Sequence, residues 1–175
     1  MTLPAGAKVL GETSSGDLDI AGMTEIGLKT TSGDKTLRDI SGAVTLEGSS
    51  GKITLARVGG AATVKSTSGD VILSTVKGDV TVQLTSGSVS GTDLGGQATV
   101  SASSGDINLG LSATHNVKAT ATSGNVYVKV PRGTPYRVTA QTSSGNRDIN
   151  VATDPAAGAA MDLQANSGDI AVNYA

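Results

Sequence analysis

The chain has no cysteine, tryptophan or phenylalanine, and only one histidine and four prolines in 175 residues. Lack of cysteine excludes disulfides, thiolate metal sites and a cysteine nucleophile. With three tyrosines as its only aromatics, the chain is poorly equipped to fill a globular core of ordinary thickness. A thin core of Val, Leu, Ile, Ala and Thr between two close sheets remains within reach. No apolar run is long enough to span a bilayer as a helix. Lys and Arg total 13 against 15 Asp and Glu, with both signs scattered. No basic block offers a footprint for a phosphate backbone, which leaves nucleic-acid binding without support. The opening Met1-Thr2-Leu3-Pro4-Ala5-Gly6 has neither the charged nor the apolar region of a signal peptide. The repeat described next begins almost at once, so the chain reads as a domain excised from a longer protein. Its setting would be the cell envelope or exterior if that protein carries an export signal or anchor, and the cytoplasm otherwise.

What the chain has in abundance is glycine, 24 residues, about twice the usual share. The glycines have no three-residue period, so a collagen helix is excluded. Instead, Ser-Gly-Asp or a near variant returns nine times, from Ser15-Gly16-Asp17 to Ser167-Gly168-Asp169, at glycine spacings of 17, 18, 18, 18, 18, 19, 21 and 23. A fixed period this short predicts a solenoid whose units are stable only when stacked.

Each 18-residue unit splits at a second glycine such as Gly78. Numbered from either glycine, positions +2 and +4 are apolar: Val71 and Leu73, Val80 and Val82, Ile107 and Leu109, Val126 and Val128. Polar residues such as Thr63, Thr81 and Thr99 stand between them. Period two predicts strands with one buried face. Position +7 separates the halves, with Ile40, Val58, Val76 and Leu94 after one turn and Thr31, Ser49, Thr67, Thr85, Ser103 and Thr122 after the other. One edge should therefore carry an aliphatic ladder and the other a ladder of hydroxyls, bonded along the stack or to turn amides.

The expected fold is all-β: a single parallel β-solenoid over 1–175, a single-stranded right-handed β-helix of about nine two-strand coils. At ~4.8 Å per coil the rod would be on the order of 40 Å long. Antiparallel hairpins are the competing arrangement, but stacking places Val on Val and Thr on Thr. Regular coils run from about 7 to 130. Residues 131–175 carry two insertions, Pro131–Pro135 and Asp154–Gly158, and are expected to cap the last rung. Two further irregularities stand out. Lys35 occupies an apolar +2 position, which predicts either a distorted coil or a side chain that snorkels to solvent. His115 replaces a second-half glycine.

The series Thr67-Ser68-Gly69-Asp70-Val71, the segment Val126–Val138 and the opening Leu3-Pro4-Ala5-Gly6-Ala7 resemble the bacterial DUF4097 proteins, described as adhesin-like β-strand-repeat proteins. The resemblance covers essentially the whole chain and implies a single-chain β-helix, often accompanied by a membrane anchor or export signal. It brings no defined activity and no functional residues.

Corner residues Asp17, Asp34, Asp70, Asp106 and Asp169 could form an acidic calcium ladder. Lys52, Ser88, Asn125 and Asn146 interrupt it, and turn capping is the better account. No hydroxyl has an evident base to activate it, and no Trp or Phe offers a platform for sugars. The expectation is a protein without catalytic, cofactor or metal residues. It would be an adhesin-like interaction module contacting protein or glycan at the cell surface or, alternatively, a structural spacer or self-assembling element. A polysaccharide-processing β-helix is a minor third reading. Arg132, Tyr136 and Arg137, beside the first insertion, are the candidate partner contacts.

Overall fold

In a computed structural model, residues 6–175 are described; the opening Leu3-Pro4-Ala5 lies outside them. The alternation read from the sequence becomes 18 strands in two parallel nine-stranded sheets. The first sheet contains β1 (Lys8–Thr13), β3 (Glu25–Thr30), β5 (Val44–Gly48), β7 (Ala62–Ser68) and β9 (Val80–Ser86). It continues with β11 (Ala98–Ser104), β13 (Val117–Ser123), β15 (Arg137–Ser144) and β17 (Ala160–Ser167). The second sheet contains β2 (Leu18–Ala21), β4 (Lys35–Ile40), β6 (Ile53–Val58), β8 (Val71–Val76) and β10 (Val89–Leu94). β12 (Ile107–Leu111), β14 (Val126–Val130), β16 (Arg147–Ile149) and β18 (Ile170–Tyr174) complete it. Strands alternate between the sheets, so each pair is one turn of a β-solenoid. Seven turns, β1 to β14, follow one another in chain order.

Equivalent positions lie in register. Ala62 pairs with Val44 and Val80, and Val82 with Val64 and Val100. Ile53 and Val71 pair in the opposite sheet, as do Leu55 and Leu73. These side chains are buried, and they form the thin aliphatic core expected of a chain so poor in aromatics.

The aliphatic ladder at Ile40, Val58, Val76 and Leu94 is also buried, for a reason the sequence conceals. The residues just before it, Asp39, Arg57, Thr75 and Asp93, have φ values of 57°, 55°, 58° and 56°. One left-handed residue per coil resets the inward-outward alternation, as a bulge does. The +7 residue therefore turns inward in the second sheet, whereas in the first sheet it stays exposed and +6 is the last inward position. Asp tolerates this conformation, but Arg and Thr rarely adopt it. Arg57 holds Asp39 of the preceding coil in a two-pronged ion pair, at 2.5 and 2.9 Å. That hydrogen-bonded guanidinium lowers the Asp39 pKa, and the carboxylate in turn raises that of Arg57.

The two corners use glycine differently. Gly69 has φ +105°, and a Cβ there would clash with the carbonyl group of Gly51 in the preceding coil. At the other corner Gly78 is not left-handed; it is glycine because a Cβ would lie 2.5–2.6 Å from the backbone of Gly60 and Ala61. There the need is for close stacking rather than for the conformational freedom expected of a corner glycine.

The C-terminal third departs from expectation. In the first sheet the order is β13-β17-β15, and in the second β14-β18-β16. The last turn in sequence is an internal rung, and the turn before it is the end of the stack. Segment 131–136 steps the chain past a vacant rung, and 150–159 brings it back so that β17 and β18 fill the gap. β17 then pairs with β13 on one side and β15 on the other. The insertions are thus crossovers that reorder the stack, rather than a cap laid over the last strands.

Lys35 neither distorts its coil nor reaches solvent. It pairs in register with Leu18 and Ile53 and is 1% exposed. Its stem lies in the core and its Nζ donates to the Ser50 carbonyl at 2.6 Å. Burial lowers its pKa, an effect that Asp34 and Asp17 partly offset.

Candidate functional site

The corner residues form a ladder of caps, the account the sequence favoured. Asp17 Oδ1 accepts from the amide of Asp34, and Asp34 Oδ1 from that of Lys52. Asp70 caps Ser88, and Asp106 caps Asn125. The reordered rungs continue the series, with Asn125 capping Asp169 and Asp169 capping Asn146. Each corner side chain satisfies an amide in the next rung at 2.8–2.9 Å. The bonds to the Asp carboxylates are charge-assisted, the stronger class, and with the neutral Asn125 cap they tie neighbouring corners together.

The expected hydroxyl ladder is present as an exposed column at Thr31, Ser49, Thr67, Thr85, Ser103 and Thr122. Part of its length is tied by backbone bonds between rungs, such as Thr31 N to Thr13 O and Ser49 N to Thr30 O. The hydroxyls themselves face outward. Beside this column runs a second outward column, from Glu12, Lys29, Glu47 and Lys65 to Gln83, Ser101, Thr120, Gln164 and Gln141. The inward +6 position lies between them as a floor that is small at Gly48, Ser66, Ala102, Ala121 and Ala165 and larger at Leu84. Small residues beneath two polar columns make a groove along the solenoid axis.

Three hollows mark its course, around Thr31 and Ser49, around Thr67 and Thr85, and around Thr122 and Asn166. Their volumes, about 370, 570 and 500 Å³, match those of small-ligand sites, but each is open along one side. The electrostatic character changes midway. The N-terminal half carries charges, with Lys29 and Glu47 3.5 Å apart. From Gln83 onward the wall is neutral amides and hydroxyls until Arg147, whose guanidinium donates to the Ala140 carbonyl at 3.2 Å. Only the hydroxyl column was legible beforehand; the floor is the third inward position of an unbroken alternation in the first sheet, whereas the left-handed residues of the second sheet turn +7 inward there.

A family model described as Toastrack DUF4097 matches residues 1–173. The chain belongs to that family. No curated protein and no solved structure matches it.

The three partner contacts expected in this Toastrack chain do not form one exposed patch. Arg132 is exposed, its guanidinium 5.6 Å from the centre of the Tyr174 ring. Arg137 is exposed at the start of β15. Tyr136 is wholly buried in the first crossover, and burial raises its pKa. A side chain in that position packs the crossover and cannot touch a partner, so the expectation for Tyr136 is corrected. Glu25, on an outward position of β3, pairs with Lys8 at 2.7 Å. His115 lies in the turn between β12 and β13, at the edge opposite the hydroxyl column.

Proposed function

We propose that this Toastrack domain is a non-enzymatic, adhesin-like interaction module of the cell envelope that holds an extended neutral glycan along its hydroxyl edge. The observation that carries this reading is the neutral half of the groove. From Gln83 to Gln141 every rung presents a side-chain amide or hydroxyl beside the outer hydroxyl column. Rungs repeat at ~4.8 Å, a spacing of the order of one sugar in an extended chain. Both donors and acceptors are offered, which suits hydroxyl-rich partners. With no aromatic platform each sugar contributes little, so affinity accumulates over several rungs. The non-enzymatic part rests on the neutral half of the groove, where the column beside the hydroxyls, Gln83, Ser101, Thr120, Gln164 and Gln141, offers no carboxylate or imidazole to act as a base.

The test is binding of immobilised neutral bacterial polysaccharides by the wild type and by Ser103→Arg/Thr122→Arg. We expect the double variant to lose at least tenfold in affinity, about 1.4 kcal/mol, at unchanged melting temperature. Asn108→Arg, exposed on the other sheet, should bind normally. Capture of none of the polysaccharides by the wild type, or equal loss in the control, rejects the reading.

The self-assembling alternative fares less well against the end rungs. Through the register, Arg137 shares a column with Lys8, and Asp148 shares one with Asp19. A second copy stacked in register would set like charges against each other. Arg147 also occupies a core column at the open end, a device that blunts exposed edges. Sedimentation across a concentration series should therefore report a monomer, and concentration-dependent oligomers would restore the assembly reading.

A further inference from the structure

At the open end of the stack a column of core residues finishes on a charge. In the second sheet it runs Ile107, Val126, Ile170 and then Arg147. No rung covers Arg147, and its side chain is exposed. Instead of filling a core it reaches across to the first sheet, where its guanidinium donates to the Ala140 carbonyl at 3.2 Å. There it joins Thr122, Gln141, Ser143, Gln164 and Asn166 in lining the last hollow of the groove, about 500 Å³ in volume.

A guanidinium carries five N–H donors, and the Ala140 carbonyl takes one of them. The other cations of the groove are matched: Lys29 is bridged to Glu47, and Lys65 stands beside Glu47 in register. No ion pair among the described residues includes Arg147. Its chain neighbour Asp148 sits in an outward column of the second sheet, beside Ala171. Asp162, outside the lining, accepts from the Gln164 side-chain amide at 3.2 Å. Arg147 is thus the one charged group in a lining otherwise made of hydroxyls, amides and a small apolar floor. Blunting the open edge requires only a charge at this position. It does not require a backbone carbonyl to hold the guanidinium over the end of the groove.

The hydroxyls and amides both donate and accept, and so match the hydroxyls of a sugar. The guanidinium adds a planar fork that receives a carboxylate through two parallel hydrogen bonds. One positive charge balances one negative charge, which favours a carboxylate over a doubly charged phosphate. We infer that the hollow beside Arg147 is a subsite for an acidic sugar, a uronate, whose carboxylate pairs with the guanidinium while its ring hydroxyls meet Gln141, Gln164 and Asn166. This rests on the glycan reading of the groove and sharpens it: a chain that is neutral along the rungs carries an acidic residue at the β15 end. The unmatched cation then fixes the direction in which that chain lies.

The test uses the full chain, labelled with nitrogen-15 and titrated with methyl β-D-glucuronide, methyl β-D-glucoside or sodium sulfate at constant ionic strength. Chemical shifts of the Arg147 Nε–H and of the Gln141, Ser143 and Asn166 amides report occupancy. The glucuronide should bind about fivefold tighter than the glucoside, the most that an exposed ion pair supplies. Arg147→Gln should bind the two sugars equally; the residue is exposed on an end rung, so R147Q folds. Absence of glucuronide binding, equal binding of both sugars by the wild type, an undiminished preference in R147Q, or equally strong shifts with sulfate would overturn the subsite. Capture of neutral polysaccharide by a wild type that does not prefer glucuronide would overturn the acidic end alone. A glucuronide preference that depends on Arg147, without polysaccharide capture, would support the subsite and reject the extended-chain reading.

Discussion

Val82→Asp abolishes the cooperative fold, whereas Gln83→Asp, one residue further along β9, leaves stability within about 0.5 kcal/mol of wild type. Val82 is 1% exposed and stands between Val64 and Val100 of the neighbouring turns. A carboxylate there enters a core only two aliphatic layers thick, with no cation or donor built to receive it, and the cost exceeds about 4 kcal/mol. Gln83 points outward from the same strand. The contrast tests register rather than mere hydrophobicity, since a one-residue slip would exchange the two outcomes. Thermal or urea unfolding followed by circular dichroism reads both variants, and a V82D protein as stable as the parent would refute the register.

Gly69→Ala is the second large effect, and Gly16→Ala separates its two causes. Both glycines have φ near +110°, at +105° for Gly69 and +112° for Gly16, where an L side chain is strained. At Gly16 nothing lies within 4 Å of the added methyl, because no earlier corner stands beneath it. At Gly69 the methyl meets the Gly51 carbonyl. G16A should lose about 1–3 kcal/mol, the cost of a strained backbone alone. G69A should lose substantially more, because two rungs must also separate and break the ladder between them. Equal losses in the two variants, measured by urea unfolding, would mean that the corners are not stacked as tightly as described.

The strands and the core were readable from residues such as Val80, Val82, Val100 and Leu73, because a half-buried strand writes its geometry directly into a period of two. Stacking was readable because parallel in-register rungs bring equivalent residues together. The left-handed column was not, since Arg57 and Thr75 carry no preference for that conformation and follow from the packing of Val58 and Val76 behind them. Lys35 was identified as an anomaly, but its burial rests on an acceptor, the Ser50 carbonyl of the next coil, that only the three-dimensional stacking brings to its ammonium. Of the groove, the column Thr67, Thr85 and Ser103 was legible, while its floor and its change from charged to neutral depended on knowing which positions turn inward. The order of the last two turns was hidden altogether. A repeat period states that units stack, and it does not state which unit is whose neighbour.

That reordering gives the rod a mechanical polarity. At the β1–β2 end the outermost turn is bonded on one side only, so a pull applied there can unzip the stack rung by rung. Tension entering through β18 loads a rung that is hydrogen-bonded to β14 on one face and to β16 on the other, while its partner β17 is held between β13 and β15. To yield from that side, the chain must break ladders on both faces of an internal layer at once. A domain anchored through its C-terminal strand would be held by its strongest point and would give way first at the far end.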